Sequence, residues 1–293
     1  MNLIRVAAAQ YPISYFKYMD EFTTKAQVWV EEAVTQRAQL LLFPEYASLE
    51  LCSLLAKNLQ TDLEQQLHAM QDFLGFYLDT FSLLAKQHQV TIVLGSFPEK
   101  IRLYEKECFV NRSYVAHPDG RLDFQDKQIM TRFESEDWLI SAGTEIKVLD
   151  TAVGRLGISI CYDSEFPLIA RKQSELGADI ILVPSVTETM HGYFRVKIGS
   201  QARALENQCY VVHAPLVGEA MWAPALEQCY GRAGIYTPVD QGFPSDGILA
   251  QGELNVPMWV YADLDLAKTR AVRTNGNVLN YRDWDYQQQR TAV

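Results

Sequence analysis

The reactive types in this chain gather in three stretches, and Cys161 anchors the most informative of them. It ends the apolar run Ile158-Ser159-Ile160, which reads as a strand, and precedes Tyr162-Asp163-Ser164-Glu165-Phe166-Pro167, whose polar residues and proline read as the start of a helix. A thiol at such a corner lies near free backbone N–H groups, whose partial positive charge favours the thiolate. Free cysteine is also a common small buried residue, so the corner alone does not decide its role. The second stretch, Gln39-Leu40-Leu41-Leu42-Phe43, is a short apolar run followed by Pro44 and the acidic Glu45. The third runs from Arg121 to Asp126 after the turn signal Pro118-Asp119-Gly120, and ends at Lys127. Each reactive residue stands where a strand ends and the chain turns, so one sheet edge can bring all three together. A thiol, a carboxylate and an ammonium held together supply a nucleophile, a proton carrier and a positive charge for a developing oxyanion.

Phe43-Pro44-Glu45, Asp126-Lys127 and Cys161-Tyr162-Asp163-Ser164-Glu165-Phe166-Pro167 resemble, in order and context, the Glu-Lys-Cys motifs of the nitrilase superfamily of carbon–nitrogen hydrolases. The likeness continues through Gly177-Ala178-Asp179, Arg203-Ala204-Leu205-Glu206-Asn207 and the stretch from Gly231 to Pro238, and so covers nearly the whole chain. The resemblance implies an amidase-like hydrolysis of a non-peptide C–N bond in a small amide, giving a carboxylic acid and ammonia or an amine through a thioester. Cys161 would be the nucleophile and Glu45 the proton carrier. Lys127 and the backbone N–H of Tyr162 would hold the oxyanion. Many members carry a second glutamate before a glycine. Counting back from Gly143 gives Glu136, which would orient Lys127 or the substrate, with Glu134 as its near neighbour; Ser141-Ala142-Gly143 stands where Pro-Gly is usual.

Tyr162-Asp163 follows the amide-hydrolysing pattern, whereas nitrile hydrolysers tend to carry Trp-Glu there. A nitrilase converting a nitrile to an acid and ammonia is the alternative enzyme, and a non-catalytic scaffold of the same fold is the alternative from another class. A third rival is a Cys-His hydrolase using His191 or His213. The segment from Thr187 to Arg195 corresponds to pocket-lining positions, so Tyr162, His191 and Arg195 are the expected substrate-binding residues. Arg195, His191 or Arg132 would pair with a substrate carboxylate. Arg203, Glu206 and Asn207 read as structural. The stretch Asn275 to Trp284 looks like that of a bacterial subgroup sometimes fused to an acetyltransferase domain.

The elements that must position these residues follow from periodicity. Strands are expected over 3–9, 39–43, 90–94, 108–116 and 121–125, then over 146–150 and 155–160 as a hairpin, and over 179–183 and 209–214. Helices are expected over 20–37, 165–176 and 193–207, with two more within 46–88. The remainder, 228–263, is rich in strands and turns. Alternation of this kind, together with the resemblance, implies an α/β fold: a four-layer α-β-β-α sandwich with two mixed β-sheets packed face to face. The resemblance also implies a homodimer made by the helices at 165–176 and 193–207.

With 293 residues, 48% of them hydrophobic, the chain reads as a single carbon–nitrogen hydrolase domain over 1–293, with about 264–293 as a C-terminal extension. Net charge is 26 minus 36, or -10, which argues against nucleic-acid and anionic-membrane partners. The first ten residues carry one basic side chain and read as a core strand rather than a signal peptide, and no apolar stretch approaches the roughly 20 residues that span a bilayer. Five cysteines without a C-x-x-C pair read as reduced thiols of a cytoplasmic protein. Five histidines form no metal-ligand spacing, so neither a metal nor a cofactor is implied, and the expected partner is a small-molecule amide or nitrile.

Overall fold

The computed structural model describes residues 3–291; the outermost residues of the expected domain, 1–2 and 292–293, lie outside the described residues. In chain order the strands are β1 (Ile4–Pro12), β2 (Leu40–Leu42), β3 (Thr91–Leu103), β4 (Lys106–Ala116), β5 (Leu122–Asp126), β6 (Ile140–Ser141) and β7 (Val148–Thr151). They continue with β8 (Gly154–Ile158), β9 (Ile180–Ser185), β10 (Tyr210–Glu219), β11 (Gln228–Cys229), β12 (Gly234–Tyr236), β13 (Ile248–Gln251) and β14 (Met258–Leu264). The α-helices are α1 (Met19–Thr35), α2 (Lys57–Gln60), α3 (Leu63–Met70), α4 (Leu74–His88), α5 (Arg132–Glu136), α6 (Pro167–Glu175), α7 (Met190–Asn207), α8 (Leu266–Asn275) and α9 (Asn280–Thr291).

Hydrogen bonding follows the path β5-β4-β3-β2-β1-β10-β9-β8-β7, with β14 on β1, β12 and β13 beyond β10, and the short β6 and β11 beside β4 and β10. Parallel pairs such as β1 with β2 and β8 with β9 mix with antiparallel pairs such as β3 with β4, so the large sheet is mixed. At its middle β1 meets β10 through Tyr11–Leu216 and Pro12–Val217, a short seam between two halves.

β1 can be central because both of its faces are apolar. Ala7, Ala9 and Tyr11 join one buried cluster with Phe22 and Val30 of α1 and Tyr77 and Phe81 of α4. Ile4, Val6 and Ala8 join a second cluster, which links Leu42 and Val93 of the first half to Ile158, Leu182 and Val212 of the second. Each of the larger aliphatic and phenylalanine side chains contributes on the order of 1.5–3 kcal/mol when fully buried.

Three expectations need correction. The strand expected over 90–94 runs on to Leu103, because it forms a long hairpin with β4. Residues 46–88 hold a 3-10 segment, Ala47–Leu54, before α2, α3 and α4. That segment has no polar face: Leu49, Leu51 and Cys52 are buried, and buried Glu50 is satisfied by Lys25, the Ser14 N–H and the Tyr11 hydroxyl. The helix expected from 165 begins at Pro167, after a 3-10 turn over Cys161–Glu165, because the Asp163 side chain is drawn inward by backbone N–H groups of another loop. The C-terminal α9 packs back onto α6, where the Arg171 guanidinium lies 4.8 Å from the Tyr281 ring and 5.0 Å from that of Trp284. Among the described residues no helix is long and apolar enough to cross a membrane.

Candidate active site

Glu45 follows the end of β2, in a loop whose path depends on Gly95. That glycine has φ +80°, and a Cβ there would lie 2.0 Å from the Pro44 carbonyl oxygen, so only glycine lets β3 pass beneath the loop. The Glu45 carboxylate is buried, and each oxygen has partners. Oε1 accepts from Lys127 Nζ and from Asn111 Nδ2, both at 2.8 Å, while Oε2 accepts from the Val186 N–H at 3.0 Å. Lys127 follows β5 and is equally buried. Its ammonium also donates to Glu134 Oε2 at 2.6 Å.

Glu134 is placed by a capping box. Thr131 caps α5 by accepting from the Glu134 N–H, and Glu134 Oε2 accepts from the Thr131 N–H at 2.9 Å. The Tyr46 hydroxyl donates to the other oxygen of Glu134 at 2.9 Å. Cys161 follows β8 at a turn that holds it at φ +48°, and its Sγ–H donates to the Val186 carbonyl at 3.4 Å. Glu45, Lys127, Glu134 and Cys161 all line one cavity of about 220 Å³, whose wall is aromatic at Tyr46, Phe133 and Trp138.

The electrostatics follow from burial. Burial pushes the Glu45 carboxyl up; the Lys127 ammonium pulls against this, and Glu134 adds to the rise. Burial alone would raise Glu134 as well, but Lys127 and the Thr131 N–H hold it below the usual carboxylate range. For Lys127 burial favours the neutral amine, and the Glu134 and Glu45 charges outweigh it and keep the ammonium. The Cys161 thiol is pushed up by burial and by the Glu45 charge, with only partial relief from Lys127. Burial and the Glu45 charge thus favour the thiol, against the pull toward thiolate expected at a helix start.

A third carboxylate organises the site without lining the cavity. Asp163 is fully buried and accepts from the N–H groups of Gln128 (3.1 Å), Ile129 (2.8 Å) and Ile160 (3.2 Å). It thus ties the turn carrying Cys161 to the loop carrying Lys127. Burial pushes its carboxyl up to about 7 against the pull of Lys127 and these N–H groups. Asp163→Ala leaves buried donors without a partner, each costing about 1–3 kcal/mol, so we expect about 3 kcal/mol of lost stability in urea unfolding together with a fall in kcat. An unchanged midpoint and rate would show that the tie does nothing.

The other expected residues are dispersed. Glu136 does not reach Lys127: it lies on the outer side of α5, 56% exposed, paired with Arg132 at 2.7 Å, and Glu134 occupies the place expected for it. Arg132 is itself 86% exposed. His191 is exposed on α7, outside the cavity. His213 is buried against Ser185 Oγ at 2.7 Å, where burial pushes it down to about 3, and neither it nor His191 lines the cavity that holds Cys161. Tyr162 and Arg195 do line the cavity, and Arg195 is paired with Glu165 at 3.3 Å. Arg203 pairs with Glu206 at 2.7 Å and donates to the Ser164 carbonyl. Among the described residues no group of three or more His, Cys, Asp or Glu side chains is placed to hold a metal ion.

A family model described as carbon–nitrogen hydrolase matches residues 5–274. A probable hydrolase of Bacillus subtilis (strain 168), YhcX, is 34% identical over 281 residues, covering 96% of this chain and 53% of that protein. The chain therefore spans about half the length of that relative. A deaminated glutathione amidase of Dictyostelium discoideum is 27% identical over 270 residues, covering 88% of this chain and 87% of that one. In fold, the chain is similar to the crystal structure of a carbon–nitrogen hydrolase from Helicobacter pylori G27, with a TM-score of 0.76 at 18% identity, over 99% of this chain and 95% of that one.

Proposed function

The chain belongs to the carbon–nitrogen hydrolase family, and on that premise we propose that it hydrolyses a small amide through a thioester on Cys161, releasing a carboxylic acid and ammonia or an amine. The observation that carries this reading is the meeting of Glu45, Lys127 and Cys161 on one small cavity, with the carboxylate and ammonium 2.8 Å apart and both out of water.

In the first step the Cys161 sulfur bonds to the amide carbon while its proton passes to Glu45, and the carbonyl oxygen takes the negative charge. The Lys127 ammonium and the Tyr162 N–H hold that oxygen. Collapse breaks the C–N bond, and Glu45 returns the proton to the departing nitrogen. Water then attacks the thioester as Glu45 takes its proton; the C–S bond breaks, the acid leaves and the thiol is restored. Glu134 holds no proton and fixes Lys127 in place. A raised Glu45 suits both halves of this cycle, because it must accept and release one proton near neutrality.

The sign of the pH dependence follows. Below the Glu45 pKa the carboxyl is already protonated and cannot take the thiol proton, so kcat/KM falls as pH drops. Its acid limb is expected above the ordinary glutamate range of about 4.3, in ammonia release measured from about pH 4 to 9. A limb at or below 4 would remove Glu45 from this role.

The direct test is the intact mass of the protein after incubation with small amides. Wild type gains the acyl mass and Cys161→Ala does not; no gain with any amide leaves the non-catalytic scaffold standing. Feeding an amide and a nitrile of the same acid separates amidase from nitrilase, with faster ammonia release from the amide expected.

The same reading extends to the architecture. The two halves of the sheet form the middle of a four-layer α-β-β-α sandwich, supported by the cluster that draws side chains from both. Residues 1–293 form one domain, with α8 and α9 as its extension from about 264, supported by a family match that runs to 274. A homodimer forms through α6 and α7, supported by Leu168, Phe194, Ile198 and Leu205, which these helices leave exposed. Five unpaired cysteines, four of them buried, support a cytoplasmic setting.

A further inference from the structure

We infer that the substrate amide carries a positive charge at the end remote from the scissile bond, and that Glu188 selects it. This rests on the amidase reading and deepens it. The titratable wall of the cavity holds four acids, Glu45, Glu134, Glu165 and Glu188, against two bases, Lys127 and Arg195. With Cys161 as thiol the wall carries 2 minus 4, or -2.

The two bases are already engaged. Lys127 is shared by Glu45 and Glu134, and Arg195 is paired with Glu165. Among the described residues Glu188 has no ion-pair partner, and its carboxyl is pushed up by burial and then by the like charge of Glu227, with no cation opposing them. Glu188 is nevertheless exposed enough to meet an entering solute.

A substrate carboxylate, expected from the arginine in this segment, meets a different situation. It must enter a wall already negative, where Glu165 stands 3.3 Å from Arg195 Nε and offsets its charge. An ammonium or guanidinium displaces nothing, sits against Glu188 and relieves its repulsion with Glu227. The cavity volume of about 220 Å³ limits the remainder to a short chain. A net charge of -10 over the chain adds attraction for a cation at low salt.

Three amides that differ only at the far end test this: 5-aminopentanamide, pentanamide and 4-carbamoylbutanoate, compared by kcat/KM for ammonia release. The ammonium compound is expected to exceed the neutral one by up to about fivefold, as befits one partly exposed charge pair, and the carboxylate to be slowest. Glu188→Gln should bring the ammonium-to-neutral ratio toward one, and Glu188→Lys should shift preference to the carboxylate. Preference for the carboxylate in wild type, or an unchanged ratio in Glu188→Gln, overturns the inference while Cys161-dependent hydrolysis of pentanamide keeps the amidase reading. Where none of the three is hydrolysed, alkylation of Cys161 by iodoacetamide decides. Slowing by butylammonium and not by butanoate supports a cation site, and equal or reversed protection overturns it.

Discussion

Cys161→Ala is expected to lower kcat/KM for the amide by a factor on the order of 10⁴ to 10⁶, because every covalent step passes through that sulfur. The cavity stays intact in this variant, since one buried sulfur is exchanged for a hydrogen, so amide binding should survive where turnover does not. Glu45→Gln serves as its partner. It keeps the shape and the acceptor for Lys127 but cannot take a proton, and a lost proton carrier costs about 10²–10⁴ in rate. Burial, which favours the thiol, makes this loss severe, because it disfavours a preformed thiolate that could bypass the base. Rate assays with intact masses separate the two: Glu45→Gln can still form some thioester with an activated ester, and Cys161→Ala cannot. Retained turnover in Cys161→Ala would mean another nucleophile.

Lys127→Met is expected to injure both stability and rate. The ammonium stands between two buried carboxylates, at 2.8 Å from Glu45 and 2.6 Å from Glu134, and among the described residues nothing else of positive charge is bonded to either. Its removal leaves two like charges facing each other out of water. Breaking a buried pair costs about 3–5 kcal/mol, which urea unfolding would read directly. The oxyanion also loses a donor, worth on the order of 10²–10³ in kcat. The double variant Lys127→Met with Glu134→Gln should regain part of the stability, because it removes one of the stranded charges, without regaining activity. A single variant as stable as wild type would show that the three charges are not coupled.

The three central residues stood out because each follows a strand signal, the apolar runs ending at Phe43 and Ile160 and the turn-led stretch ending at Asp126, and strand ends point to sheet edges. Glu134 was passed over in favour of Glu136 by counting from Gly143. The better signal was local: Thr131 and Glu134 stand in the spacing of a capping box, which turns the glutamate back toward its own helix start and toward Lys127. Asp163 carried a misleading signal, since an acidic residue after a strand reads as a helix cap. Its long-range bonds to Gln128 and Ile129 depend on a fold that periodicity does not reveal. The same limit applies to Asn111, which lies mid-strand and bonds Glu45 only because β4 passes beneath that loop. His191 and Arg132 lie outside the cavity for the opposite reason: a helix has an outer side, and residue type alone does not say which side a position takes.

The grasp of Val186 by Glu45 has a consequence for the life of the chain. The carboxylate precedes the cysteine by more than a hundred positions, while the amide that orients it is synthesised after the cysteine. A nascent polypeptide on the ribosome that has not yet passed Val186 carries all three reactive groups, with Lys127 and Asn111 to hold one carboxylate oxygen but no Val186 N–H to hold the other. The second oxygen of the carboxylate is thus tethered only once the ribosome has moved beyond that residue.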